Sequence, residues 1–144
     1  MRPTTKTART AAEKSSVLHV VNIGISEEFY LGASGENSRG IDTVSRGLAE
    51  LVGGTGVIVN SVLPGPTRSE ILGNWMAATA SEQGITQDEA EQNFLKTMRP
   101  TTLINRFTTT GEVANMVVYV CSEQASGTSG AALRVDGGVV RSIV

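Results

Sequence analysis

One cysteine, Cys121, is all the sequence holds, which excludes an intramolecular disulfide and fits a reducing compartment. It falls late in a helical pattern with no basic neighbour to activate it, and it reads as a buried filler. Histidine is as scarce. His19 stands alone inside an apolar run, with no Ser/Asp or metal-ligand partner at a telling spacing, so it reads as a packed or edge residue and no metal site is expected. No apolar stretch is long enough to span a bilayer. The net charge of −2 leaves no electrostatic footprint for nucleic acid or a membrane surface. Residues 1–16 lack a secretory apolar core; they are basic and rich in Thr and Ala, a composition shared with transit peptides, and cytoplasm is the default expectation. Repeats and low-complexity tracts are absent. The 144 residues suffice for one domain with a real core and hardly for two.

The richest signal lies in residues 56–67, G-V-I-V-N-S-V-L-P-G-P-T. A short β-branched run bounded by turn residues reads as a buried strand of a parallel sheet. Pro64 and Gly65 stop it at the carboxyl end, where open α/β sheets form their ligand crevice. Backbone amides and the Thr67 hydroxyl would face that crevice. Residues 17–25 read as a second buried strand. Ile41, Val44, Leu48, Leu51 and Val52 recur at three-to-four spacing and predict a helix over 40–52, stopped by Gly53 and Gly54. Strand, helix and strand make a right-handed βαβ unit. Residues 1–16 form a surface helix or fray, and 26–39 read as a loop leading to a helix start.

Beyond the Pro-Gly turn, Ser69 can cap a helix carrying Ile71, Leu72, Trp75 and Met76. T-Q-D-E at 86–89 is a capping box for a helix with Phe94, Leu95 and Met98, ended by Pro100. These two helices form either a lid over the crevice or ordinary packing; Trp75, Met76 and Phe94 are accordingly pocket lining or core. T-T-G-E at 109–112 opens a helix over 110–122. A third short strand spans 131–135 and is closed by Asp136, Gly137 and Gly138. The whole reads as one α/β domain, 1–144.

Four stretches, taken together, resemble the carboxyl-terminal half of a short-chain dehydrogenase/reductase, a Rossmann-fold oxidoreductase family. They are S-R-G-L-A-E-L at 45–51, V-I-V-N-S-V-L-P-G-P-T at 57–67, R-F-T-T-T-G-E-V-A at 106–114 and S-G-A-A-L-R-V-D-G-G at 129–138. The resemblance covers residues 41–138. It implies a partial Rossmann-like, three-layer α/β fold, with a short parallel sheet of about three strands flanked by helices. It implies NAD or NADP as cofactor, with Pro64, Gly65, Pro66 and Thr67 at the nicotinamide end. Asn60 would tie neighbouring backbone segments together, and Arg106, Glu112, Asp136, Gly137 and Gly138 would be structural. Oligomerisation, or pairing with a partner chain, is implied through the helices at 40–52 and 110–122 and the last strand.

Against that family pattern, the glycine-rich pyrophosphate fingerprint is missing. The Y-x-x-x-K pair, in which the lysine lowers the phenol pKa, is missing too. Its positions fall on Ser34 and Ser38. Ser26 and Tyr30 are the nearest catalytic candidates, and residues 24–40 look deleted or rearranged. The resemblance therefore implies an NAD(P)-dependent oxidoreductase that is truncated and catalytically impaired. The alternatives are a non-catalytic interaction module and an inactive remnant.

Overall fold

The computed structural model describes residues 18–23 and 36–142. In chain order these give β1 (Leu18–Ile23), α1 (Glu36–Leu51), β2 (Val57–Pro64), β3 (Thr67–Arg68), α2 (Glu70–Gln83), α3 (Gln87–Met98), β4 (Thr108–Thr109), α4 (Thr110–Val120), a 3₁₀ turn (Glu123–Ala125) and β5 (Ala132–Val135). The strands β1, β2 and β5 form one parallel sheet in the order β1-β2-β5. This is the short sheet flanked by helices that the sequence implies.

β2 is central, and its composition explains why. From Ile58 to Leu63 each residue is buried, because a strand between two others with helices over the sheet has no solvent face. Fully burying a valine contributes about 1.5–3 kcal/mol, and Val59 and Val62 are 1% and 0% exposed. Val57 aligns with Leu18, and Ser61 with both Asn22 and Ala132.

α1 differs from its expected orientation. Val44, Leu48 and Leu51, read as its core face, are exposed, whereas Ser45 is buried and Ala49 and Val52 are half-buried. A helix close to β2 has room only for small side chains on the contact side, so Ser45 and Ala49 turn inward at i and i+4, and Val52, of the expected face and just past the helix end, is half-buried beside them. The helix also begins at Glu36 rather than at 40.

α4 follows its expected face. Val113, Met116 and Val117 are half-buried and Val120 is fully buried. Cys121 corrects the buried-filler reading: it is exposed. It is the residue just past the last turn, and one step of about 100° from the inward Val120 points it outward.

α2 and α3 form a helix hairpin joined at Gly84, whose φ of 66° makes the left-handed cap. Leu72, Met76, Leu95 and Phe107 are their shared core, with Phe94 packed against it. Trp75, Phe94 and Phe107 stack edge-to-face in series, at centroid distances of 5.6 Å and 5.5 Å. Met76 and Phe94 are therefore packing residues, and Trp75 remains half in solvent.

Candidate cofactor-binding site

The chain leaves the sheet at Pro64, and four devices fix the turn beyond it. The first is hydrogen bonding across the sheet end, where Gly65 N–H donates to Val135 C=O at 3.0 Å. The second is close approach. A Cβ on Gly65 would lie 2.6 Å from Asp136 Cα and 2.9 Å from Asp136 O, so only glycine lets the two turns touch. The third is Asp136 itself, which accepts from Gly138 N at 2.9 Å and Val140 N at 3.1 Å. Its carboxylate is thus spent on shaping the terminal turn, the structural role expected of it. Gly137 and Gly138 hold φ of 67° and 81°, which side-chained residues rarely adopt.

The fourth device was not legible in the sequence. β3 and β4 pair as a two-residue parallel ladder, Thr67 with Thr108 and Arg68 with Thr109. Thr108 N–H donates to Pro66 C=O at 2.9 Å. Each mini-strand runs straight into a capped helix, α2 from Ser69 and α4 from Thr109. The only sequence signal was a run of β-branched threonines just before the 109–112 capping box.

The Thr67 hydroxyl donates to Gly65 C=O at 2.9 Å and lies 2.9 Å from Thr108 Oγ1, which also reaches Pro66 C=O at 3.1 Å. Two hydroxyl protons serve three contacts. Thr67 Oγ1 therefore receives at most one bond from Thr108, and it keeps a lone pair for an incoming N–H donor. Gly65 and Pro66 are buried, while Pro64 and Thr67 are half-exposed. Of the four expected cofactor residues, two shape the loop and two reach its surface.

Behind the loop, Asn60 is 1% exposed and ties β2 to the segment that leads into β5. Its Nδ2 donates to Thr128 C=O at 2.8 Å and its Oδ1 accepts from Ala131 N–H at 3.1 Å. It is the tie that the sequence implies. Arg106 grips Glu112 through both terminal guanidinium nitrogens, at 2.9 Å and 2.7 Å. Glu112 also closes the capping box on Thr109. The Arg106 hydrogen bonds first, and the Thr109 backbone N–H second, lower the Glu112 carboxyl from 4.5 to about 2.

Ser26, Tyr30 and Ser34 lie outside the described residues, and Ser38 lies within α1. His19 sits in β1 opposite Ile58, with its Nδ1 buried and without a hydrogen-bond partner. Among the described residues no group of His, Cys, Asp and Glu has the arrangement of a metal site. Nor, among them, is any helix long and apolar enough to cross a membrane. A cavity of about 190 Å³ lies between α2 and α3, bordered by Trp75, Met76 and Phe94 together with Thr79, Gln83 and Asn93.

A family model described as enoyl-(acyl carrier protein) reductase matches residues 6–140. The chain is 45% identical over 101 residues to the uncharacterized oxidoreductase YvrD of Bacillus subtilis, a match that covers 70% of this chain and 38% of that protein. It is 32% identical over 95 residues to an A-factor type gamma-butyrolactone 1'-reductase of Streptomyces virginiae, covering 66% of this chain and 32% of the relative. The chain thus spans well under half the length of these curated relatives. In structure it is similar to L-sorbose reductase of Gluconobacter frateurii, solved with NADPH and L-sorbose, at a TM-score of 0.72 and 22% identity over 87% of this chain and 49% of that one. Actinorhodin polyketide ketoreductase, solved with NADPH, gives a TM-score of 0.66 and 22% identity over 84% of this chain and 46% of that one. At such identities the structural likeness speaks for the fold alone, while the match over residues 6–140 speaks for descent. The chain belongs to the short-chain dehydrogenase/reductase family.

Proposed function

We propose that the chain carries the nicotinamide-end half-site of an NAD(P)-dependent oxidoreductase, and that its 144 residues alone do not perform hydride transfer. The observation that carries the first half is the hydroxyl of half-exposed Thr67, left with a lone pair by its two oxygen neighbours. That atom fits the amide of a nicotinamide carboxamide, and Pro64 is the other expected cofactor residue that is half-exposed. A nicotinamide nucleotide, when bound, supplies the hydride acceptor or donor; the protein's part is to orient it. The solved neighbours that contain NADPH support the choice of cofactor class. The second half rests on the sequence, in which serines stand at the tyrosine and lysine positions and the glycine-rich fingerprint is missing. A serine hydroxyl cannot replace the ammonium that makes a phenol acidic at neutral pH. Ser26 and Tyr30 remain the hydroxyl candidates for any residual proton transfer.

Calorimetric titration with NADH and NADPH tests this reading. Saturable binding weakened by Thr67→Val, which keeps the shape and removes the oxygen, supports it. No binding at millimolar cofactor by a folded sample removes it. Gly65 is the wrong residue for this test, because its substitution strikes Asp136 before it reaches any ligand.

A second reading is favoured by α1. Val44, Leu48 and Leu51 form an apolar stripe open to solvent. Such a stripe suits association with a second copy or a partner chain, as expected for the helix at 40–52. Light scattering over a concentration series decides it, and a monomer throughout would count against it.

A further inference from the structure

Arg68 and Glu91 make a contact that neither the core nor the loop's own hydrogen bonds require. Arg68 follows Thr67 in β3, and Glu91 lies one turn inside α3. Arg68 Nη2 donates to Glu91 Oε2 at 2.6 Å. The two ends differ in setting: the Arg68 side chain is 53% exposed and that of Glu91 is 5%. The second carboxylate oxygen, Oε1, is buried with no hydrogen-bond partner. One turn back on the same helix, Asp88 Oδ1 stands 3.9 Å from the same nitrogen, with its side chain 89% exposed. The helix therefore presents two carboxylates to one guanidinium, one sunk into the structure and one in water.

A carboxylate drawn out of water with one oxygen unsatisfied is a poor way to gain stability, since desolvation consumes most of the Coulombic gain. It is an effective way to fix a distance. Glu91 lies on the α3 face that also buries Ala90 and Leu95, and α3 packs along α2. Arg68 is joined by one peptide bond to Thr67, and Thr67 is bonded to Gly65 and Thr108. Moving α3 would pull on Arg68, and through it on Thr67 and the hydroxyl bonds that Thr67 makes to Gly65 and Thr108.

We propose that Arg68 and Glu91 are a positioning pair, which locks the α2–α3 helix hairpin to the Pro64–Thr67 loop and sets the Thr67 hydroxyl for its ligand. The locking stands on the geometry above; only the consequence for ligand binding rests on the nicotinamide reading. Asp88 is the weaker, exposed hold on the same guanidinium.

Hydrogen exchange read by mass spectrometry tests the lock without any cofactor. Arg68→Ala is expected to speed amide exchange about tenfold over residues 70–98, while β2 and β5 keep their wild-type rates. The charge swap, Arg68→Glu with Glu91→Arg, restores slow exchange in that segment. Arg46→Ala, which breaks the exposed Arg46–Glu50 pair, changes neither region. Where Arg68→Ala does not fold, Arg68→Lys keeps the charge, loses the guanidinium's fixed Nη2 geometry and shows a smaller acceleration confined to 70–98. In NADPH titrations, Arg68→Ala weakens binding about tenfold and the swap recovers it. Unchanged exchange over 70–98, acceleration spread evenly through the sheet, or a swap that restores nothing would each overturn the proposal. A wild-type chain that binds neither NADH nor NADPH would end the nicotinamide reading, and the exchange experiment would still decide the lock.

Discussion

Along β2 and just past its carboxyl end, Asn60 ties the strand to the segment before β5, Gly65 packs against Asp136, and Pro66 C=O receives both the backbone and the hydroxyl of Thr108. On the outer side of α1 the situation is reversed: Val44, Leu48 and Leu51 are 65%, 39% and 83% exposed. Both regions carry apolar or turn-forming residues at regular spacing, yet one commits them inward and the other holds them in solvent. Patterning thus reports the presence of an apolar face and not its partner. Buried contacts gather at the sheet end, and α1 carries the exposed apolar stripe for which association is proposed.

The severest test of this contrast is Gly65→Val. Its Cβ would meet backbone atoms, which cannot swing aside as a side chain can, so the expected cost exceeds the ~1–3 kcal/mol of ordinary overpacking. Urea denaturation should show a lost or strongly lowered midpoint; a midpoint near wild type would mean that the two turns are not in contact. Asn60→Ala comes next. It strands the Thr128 carbonyl and the Ala131 amide, for an expected loss of roughly 3 kcal/mol in the same assay.

Glu112→Gln is smaller and shows only in acid. The Glu112 carboxyl is lowered by its bond to Arg106 from 4.5 to about 2. A folded pKa below the unfolded one contributes stability that is full above 4.5 and is lost as pH falls through about 2. Glutamine keeps the capping geometry and removes the titration. Urea midpoints between pH 5 and pH 2 should therefore fall less steeply for the variant; parallel slopes would show that the Arg106 pair carries no such linkage. The smallest effect is expected on α1. Leu51→Ser should alter the stability of the dilute protein by less than about 0.5 kcal/mol and should reduce association in light scattering. A loss several times larger would show that Leu51 is packed, and would erase the contrast between the two regions.

Much of the architecture was legible because local signals and global fold agree. The β-branched run at 57–63 became the central strand, and the two Thr…Glu capping boxes became the starts of α3 and α4. Asn60 was legible as a tie and Asp136 as a structural residue, since the match to the family's turn motifs marked them. The α1 orientation was not, because large apolar residues and small ones alternate there and only the closeness of β2 selects the small set. Cys121 was misjudged for a related reason: one residue past a helix end, a small change of angle exchanges inside for outside. The pairings of Thr67 with Thr108 and of Arg68 with Glu91 join residues 41 and 23 positions apart. No periodicity reaches that far.

Local signals alone establish an α/β protein with a parallel strand stopped by a Pro-Gly turn, and they mark which residues bear the resemblance to the dehydrogenase/reductase family. Hydrophobic period, turn residues and caps act over a few positions, so they can be read from a few positions. Three-dimensional packing was needed to select the face of α1 that meets the sheet, to require that Gly65 lack a side chain, and to bring one hydroxyl beside Thr67 and one buried carboxylate beside Arg68. Those outcomes depend on how closely separate elements approach one another, a quantity set by the packing of the whole.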